Sequence, residues 1–282
     1  MVSIIILSYN TRNLLDSCLE SIKRNIGFKH EVIVVDNASK DGSAAYIRKK
    51  HKDIKIIQNR ENEGFAKGCN LGSQEASGEY ILFLNSDTVI NDKSIKKLLE
   101  SAKDEEVGVV GGILKNKDGS RQRSFGRDYN LVNLSIMLFG GDRLENAFLK
   151  IPEKTSEVDW VSGGCMLVNT EHFRTLNGFD ERFFMYFEDV EFCYRTRKVG
   201  KKVMLNPDVS VLHLGQASSS KSFAIEQIYK GVKYFYQKHN GVWENLMMKT
   251  LLYKKAFISI VFGMIKGDTQ SIETYRRAMK TI

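Results

Sequence analysis

The chain has 282 residues, 42% of them hydrophobic and 27% charged. That is the balance of a soluble globular protein, and the length suits one large α/β domain with an appendage. Four scattered cysteines without CxxC spacing argue against zinc or a redox pair and fit a reducing compartment. Of the net charge of +8, +7 falls in residues 221–282, which argues against a nucleic-acid groove across the main domain.

Residues 2–8 form an apolar run of strand length, too short and too lacking in a basic leader to be a secretory signal. Asn10 is placed to cap a following helix, in which Leu14, Leu15, Cys18, Leu19 and Ile22 share one face. Glu31 to Asp36 is a second buried strand, ending on a carboxylate. Asp41-Gly42-Ser43 turns into a helix through Tyr46 and Ile47. Ile54 to Gln58 is a third strand, and Gly64 to Ala76 a glycine-interrupted helix. Tyr80 to Leu84 is a fourth strand, ending at Asn85-Ser86-Asp87. Asp92 is placed to cap a helix carrying Ile95, Leu98 and Leu99, and Val107 to Leu114 is a fifth strand.

The second half is less regular. Residues 118–155 are mixed, with arginines at Arg121, Arg123, Arg127 and Arg143. Val158 to Val168 reads as a strand pair around Gly163-Gly164. Phe183 to Gly200 starts aromatic and becomes a charged helix, Val203 to His213 is extended, and the pattern is helical from Ser218 onward. With two prolines and no Gly/Ser-rich stretch, no flexible linker is expected.

Strands alternating with helices imply a mostly parallel α/β sheet with helices on both faces. Ligands then bind beyond the carboxyl ends of the strands. Asn10, Asp36, Asn59 and Asp87 all follow predicted strands, so four polar loops share one rim. The sequence lacks GxGxxG after the first strand, GxxxxGK[ST] and GxSxG, which disfavours a dinucleotide-binding dehydrogenase, a P-loop NTPase and an α/β-hydrolase.

Several segments in order carry a family likeness. They are Ser8-Tyr9-Asn10, the run from Val35-Asp36-Asn37 to Ser43, Asn62 to Asn70 and Leu84-Asn85-Ser86-Asp87. Farther on come Trp160 to Met166, Gly178-Phe179-Asp180, Phe187 to Glu191 and His213-Leu214-Gly215. Together they resemble a family 2 glycosyltransferase of the GT-A fold, closest to its rhamnosyltransferase-like branch. The likeness covers roughly residues 2–215. It implies a Rossmann-like GT-A domain over 1–215, with a nucleotide-binding half at 1–115 and an acceptor and catalytic half at 116–215. A basic helical tail follows at 216–282.

The resemblance implies nucleotide contacts from Ser8, Tyr9, Asn10, Asp36, Asn37, Asn62, Gly64, Lys67, Asn70, Asn85 and Ser86. A carboxylate at Asp36 can accept from a base imide or a ribose hydroxyl; alternatively it forms an Asx-turn before Ser39. Lys67 reads equally as a phosphate contact and as a solvated helix lysine. Asp87 stands where this fold carries its Asp-X-Asp metal motif, with Asn85 replacing the first acid. The resemblance makes Asp87 and His213 ligands of a divalent cation, Mg²⁺ or Mn²⁺, which would bridge the donor diphosphate. The other reading of Asp87 is a capping residue, and of His213 a structural one.

Glu188 and Asp189 open a helix, where acids are favoured by the dipole. Inverting transfer needs one carboxylate to take the acceptor proton. The resemblance assigns that base to Asp189, with Glu188 the fallback. Phe183, Phe184, Tyr186 and Phe187 just before the pair are placed to dry it. Trp160 reads as a sugar platform or as core, and Gly163 and Gly164 as acceptor or sugar contacts.

In the tail, Ala256 to Ile265 is too short to span a bilayer, for which ~20 residues are needed. Flanking lysines and preceding aromatics read either as an amphipathic helix at an anionic membrane or as helices packed on the catalytic domain or a second copy, a homodimer. The expected protein is cytoplasmic, free or peripheral on the inner face of the plasma membrane. It would move a sugar such as rhamnose from dTDP- or UDP-sugar to a hydroxyl of a glycan or lipid-linked acceptor in cell-surface polysaccharide synthesis. A GDP-sugar donor, a sugar nucleotidyltransferase and a non-catalytic nucleotide-sugar-binding module are the alternatives.

Overall fold

The structure is a computed structural model that describes residues 1–92, 94–140, 150–215 and 220–282. Arg143, and residues 216–219 where the tail was expected to begin, lie outside the described residues. The chain divides into two units. One comprises Met1–Gly126, Ile151–Phe184 and Glu188–Ser218; the other comprises Arg127–Lys150, Met185–Phe187 and Ser219–Ile282. The second unit therefore takes two pieces from within the expected 1–215 domain.

The first unit holds nine strands in its main sheet. They are β1 (Val2–Ser8), β2 (His30–Asp36), β3 (Lys55–Gln58), β4 (Tyr80–Asn85), β5 (Thr88–Val89), β6 (Val107–Lys115), β8 (Ser156–Glu157), β10 (Cys165–Asn169) and β11 (Lys202–His213). A separate ribbon pairs β7 (Phe125–Gly126) with β9 (Trp160–Val161). The order is β3-β2-β1-β4-β10-β6-β11-β5, with β8 on β11. The first four strands are parallel, and so is β6 with β11. Between β4 and β6 lies β10, antiparallel to both.

All five strands expected in residues 2–114 are present. The pair expected around Gly163-Gly164 is not a hairpin: β9 joins β7 while β10 enters the main sheet. Two short apolar runs with a glycine turn have the hairpin pattern, and only long-range partners send them apart.

Strand β1 is apolar on both faces because both are covered. Helix α1 (Arg12–Asn25) places Leu15, Leu19 and Ile22 with Ile4 and Ile6 in one core. On the opposite face, α3 (Gly64–Gln74) lies so close that a Cβ on Gly68 would sit 2.2 Å from Leu7, and one on Gly72 2.6 Å from Ile5. These glycines thus serve helix–sheet packing. Farther along, Phe83, Phe173, Phe179 and Phe192 pack with ring centroids 5.0–5.4 Å apart. All four cysteines are buried and free.

Two expected helix caps are corrected. Asn10 has φ +55° and does not cap α1, whose N-terminal Arg12 amide is instead held by Asp41 Oδ2 at 2.8 Å. Asp41 also accepts from the Ser43 amide at the start of α2 (Ser43–Lys50), so one carboxylate serves two helices. Asp92 holds the amide of Ser94, itself the cap position of α4 (Ile95–Ser101).

The second unit is helical. It contains α5 (Leu131–Phe139), α8 (Lys221–His239), α9 (Val242–Lys266) and α10 (Thr269–Met279); α6 (Thr170–Thr175) and α7 (Glu188–Lys198) belong to the first unit. Asn130, Ser220 and Asp268 cap α5, α8 and α10 by accepting from backbone amides three residues on. Gly267, at φ +68°, ends α9 in the left-handed conformation that glycine adopts without strain. Phe187 packs on Tyr129 and Phe235 and approaches Gly231. No helix among the described residues is long and apolar enough to cross a membrane.

Candidate active site

The carboxyl ends of β1, β2 and β4 form the rim, and each loop there is tied to the next. Asp36 ends β2 and is 1% exposed. Its Oδ2 accepts from the Ser39 amide at 3.3 Å, while its buried Oδ1 has no hydrogen-bond partner among the described residues. One oxygen of Asp36 therefore closes the expected Asx-turn, and the other is without a partner among the described residues. A buried carboxylate oxygen without a partner is costly unless something completes it.

Several other rim residues expected to contact a nucleotide also hydrogen-bond across the loops. Asn37 donates to Asn62 Oδ1 and to the Gly64 carbonyl, and accepts from Asn59. Asn62 Oδ1 also accepts from the Gly64 amide. Asn70 both donates to and accepts from the backbone of Phe179, spending its amide as a clip on that loop. The Ser8, Thr11 and Ser86 hydroxyls form a buried chain, with links of 2.9 and 3.0 Å, that joins the ends of β1 and β4. These polar side chains hold the loops in register because buried donors and acceptors must be paired.

Asn10 reaches the 39–40 loop through the Ser39 hydroxyl and the Lys40 amide. Tyr9 is half-buried and makes no hydrogen bond among the described residues. Lys67 pairs with Glu63 one helical turn back, at 2.6 Å, on a surface-exposed edge. Gly64 has φ +82°, and a Cβ there would lie 2.3 Å from the Phe184 carbonyl, so its role is close backbone approach.

The Asp87 region is assembled by the sheet. The short strand β5 pairs with the end of β11, setting His213 opposite Thr88. His213 Nε2 lies 3.2 Å from Asp87 Oδ1 and 3.0 Å from Asn85 Nδ2. On the other side of the ring, Nδ1 is 2.5 Å from Gln122 Oε1. A carbonyl oxygen only accepts, so Nδ1 carries a proton, and Nε2 accepts from the Asn85 side-chain N–H beside Asp87. Gln122 is anchored in turn by donating to Asn116 and to the His213 carbonyl. The sequence reading missed Gln122; a glutamine in a mixed loop has no local signal.

Asp87 and His213 fit a divalent cation. They bring a carboxylate oxygen and an imidazole lone pair together, and the partner on Nδ1 fixes the ring as metal-binding histidines require. In the structure the Asn85 amide N–H covers Nε2, so a cation would displace it. A three-residue group also comes together elsewhere: Asp16 and Glu20 on α1, and His51 just beyond the end of α2. There the Lys50 ammonium already holds Asp16 at 2.7 Å and Glu20 at 3.2 Å.

The turn at Gly163-Gly164 connects this region to the acid pair. The Gly164 carbonyl accepts from the Asn85 amide at 3.3 Å, and the Gly163 amide donates to Asp189 Oδ2 at 3.0 Å. A Cβ on Gly164 would press on Leu114 and Asn85, and one on Gly163 on Phe65. Trp160 beside them is 6% exposed, packed on Gly126 with the Arg123 guanidinium 5.5 Å from its ring centroid. Of the two readings of Trp160, this burial supports core, because the β7–β9 ribbon turns the indole inward.

Glu188 and Asp189 start α7 and differ in surroundings. Asp189 is half-buried and accepts from two backbone amides, Gly163 and, at 2.8 Å, Val190. Burial lifts its carboxyl above the ordinary aspartate value, and the two amides oppose the rise. Glu188 is 4% exposed with a buried, unpartnered Oε2. Burial, and then the Asp189 charge, raise it well above the ordinary glutamate value. Burial thus raises both carboxyls, Glu188 further than Asp189. The residues before it, Tyr186 and Phe187, have φ of +65° and +76°, a strained conformation for bulky side chains.

With its folded pKa raised, Glu188 binds a proton more readily in the folded than in the unfolded state. Its contribution therefore worsens as pH rises from the ordinary glutamate range through the raised value. Glu188→Gln is expected to raise stability by about 1–3 kcal/mol at pH 8, an increase of several degrees in Tm. Melting curves taken at falling pH should show that gain vanish near pH 4; a gain independent of pH would mean Glu188 is not the titrating group.

The fold and this rim define an α/β protein with a polar site beyond the carboxyl ends of its parallel strands, and comparison with known proteins names its family. The model of glycosyl transferase family 2 matches residues 3–176, and that of the N-terminal domain of galactosyltransferase matches residues 147–213. The chain belongs to glycosyl transferase family 2 and is a glycosyltransferase. It is 25% identical over 273 residues to the N-acetylglucosaminyl-diphospho-decaprenol L-rhamnosyltransferase of Mycobacterium tuberculosis, covering 89% of each chain. It is 29% identical over 218 residues to the dTDP-rhamnosyl transferase RfbF of Shigella flexneri, covering 74% of this chain and 69% of that one. A solved structure of the mannosyltransferase PcManGT from Pyrobaculum calidifontis, in complex with GDP-Man and Mn²⁺, superposes with TM-score 0.59 at 15% identity. It covers 99% of this chain and 85% of that one, and supports the GT-A fold. The rhamnosyltransferase-like resemblance holds, and the nucleotidyltransferase and non-catalytic readings are set aside.

Proposed function

We propose that the protein is an inverting glycosyltransferase that moves a hexose of the rhamnose type from a dTDP- or UDP-sugar to a hydroxyl of a glycan or lipid-linked acceptor, in cell-surface polysaccharide synthesis. The observation that carries this is the Gly163-Gly164 turn. It ties the Asp87–His213–Asn85 cluster to a carboxylate held by two amides. Leaving-group and base functions then share one rim.

Asp36 would accept the imide N–H of uracil or thymine on its free Oδ1. Asp87 and His213 would hold Mg²⁺ or Mn²⁺, which when bound neutralises charge developing on the departing diphosphate. Asp189 would take the proton of the attacking hydroxyl. A single ionised carboxylate suits inversion, since retention by way of a covalent intermediate needs a second one as nucleophile. Burial raises Glu188 further than Asp189, which favours Asp189 as the carboxyl that ionises first. The relatives' names support the sugar and nucleotide: one is a dTDP-rhamnosyl transferase, and the other transfers rhamnose to a decaprenol-linked sugar.

Thermal shift against UDP, dTDP and GDP, each with and without Mn²⁺, tests the donor site. A rise in Tm with dTDP or UDP is expected, larger with metal. Stabilisation by GDP alone would replace the donor class, and no response to any of the three would overturn the nucleotide reading.

A further inference from the structure

Helix α9 packs by one face and leaves the other bare. Met248, Leu252, Ala256, Ile260 and Gly263, spaced by three and four residues, are its buried positions. From Leu246 to Ile265 its exposed residues are all apolar except Thr250 and Lys254. Trp243 at 78%, Phe257 at 63% and Ile265 at 75% exposure mark the length of the stripe. At 1.5 Å per residue the stretch from Leu246 to Ile265 runs about 29 Å. A contiguous apolar surface of this size marks an interaction site in a soluble chain.

The charges on α9 choose the occupant. The helix carries Lys249, Lys254, Lys255 and Lys266 against the single acid Glu244. Lys254 is exposed inside the apolar stripe, and Lys249 and Lys255 are half-buried beside it. A second copy laid on this stripe would trap the Lys254 ammonium in a protein seam and oppose lysine to lysine. At a bilayer surface the same side chain extends its stem along the apolar layer and keeps its head among phosphates. Aromatic residues, apolar stripe and basic rim together are the composition of a helix lying in the headgroup plane.

We infer that α9 is a monotopic docking element whose outward face, from Trp243 to Ile265, lies in the headgroup layer of an anionic bilayer. This does not rest on the transfer reaction, and its test uses neither donor nor acceptor. Full-length protein is floated with vesicles of phosphatidylcholine alone or mixed with phosphatidylglycerol, while tryptophan emission is recorded. Of the two tryptophans, Trp160 is already buried, so a lipid-dependent blue shift reports Trp243. Flotation with the anionic vesicles and a blue shift absent from Trp243→Phe are expected. Each basic residue near an anionic surface contributes roughly fivefold to partitioning. Combined Lys249→Gln, Lys254→Gln and Lys255→Gln should therefore weaken binding on the order of a hundredfold, with unchanged helicity, as glutamine has similar helix propensity. Phe257→Glu should abolish it. No flotation with either vesicle, equal flotation with both, or a lipid-free dimer in which Trp243 is already blue-shifted would each overturn the inference.

Discussion

Asp189→Asn is expected to lower turnover by roughly 10²–10⁴-fold, the usual contribution of a positioned general base. The asparagine keeps the shape of the side chain and can still accept from the Gly163 amide, now at 3.0 Å, but it cannot take a proton. Nucleotide-dependent thermal stabilisation should stay close to that of the parent protein, so the loss falls on kcat. The acid limb of the parent's pH profile should lie above the ordinary aspartate range, because burial raises Asp189 and activity falls as pH drops through that value. Turnover retained by Asp189→Asn would move the base to another group. Glu188 would be the first to examine, and a Glu188→Gln variant with lost turnover would then confirm the exchange.

Asp87→Ala should separate nucleotide binding from its metal dependence. At a nucleotide concentration of a hundred times Kd, the bound ligand stabilises a folded protein by about 2.7 kcal/mol. The share of that stabilisation gained on adding Mn²⁺ should disappear in Asp87→Ala. Gln122→Leu, which leaves Asp87 and His213 in place but removes the acceptor on His213 Nδ1, should weaken Mn²⁺ roughly 10–100-fold. Calorimetric titration of Mn²⁺ into protein with bound nucleotide measures both. Unchanged metal dependence in Asp87→Ala would remove Asp87 from the cation's ligands.

The sequence by itself determined the alternation of strands and helices, the rim of polar loops and the family. Buried strands must be apolar, loops at a ligand rim must be polar, and both patterns are local. Asp36, Asp87, Asp189 and His213 could be singled out because they end strands or open a helix within recurring motifs. The hydrogen bonds that Asn37, Asn62, Asn70, Ser8 and Ser86 make between the loops were not legible. An amide or hydroxyl beside a site reads as a ligand contact until its partners are known, and those partners lie up to 111 residues away. Trp160 was ambiguous for the same reason, since burial depends on which ribbon it joins.

Only the tertiary structure decided three things. It inserted β10 antiparallel between β4 and β6, which carries the Gly163-Gly164 turn to Asn85 on one side and Asp189 on the other. It paired β5 with β11, bringing His213 within 3.2 Å of Asp87 across 126 residues of chain and beside Gln122. It also turned the apolar stripe of α9 outward, where a helical pattern alone shows two faces without saying which is covered. Strand partners and helix facing are set by contacts between distant segments, and those enter no local period.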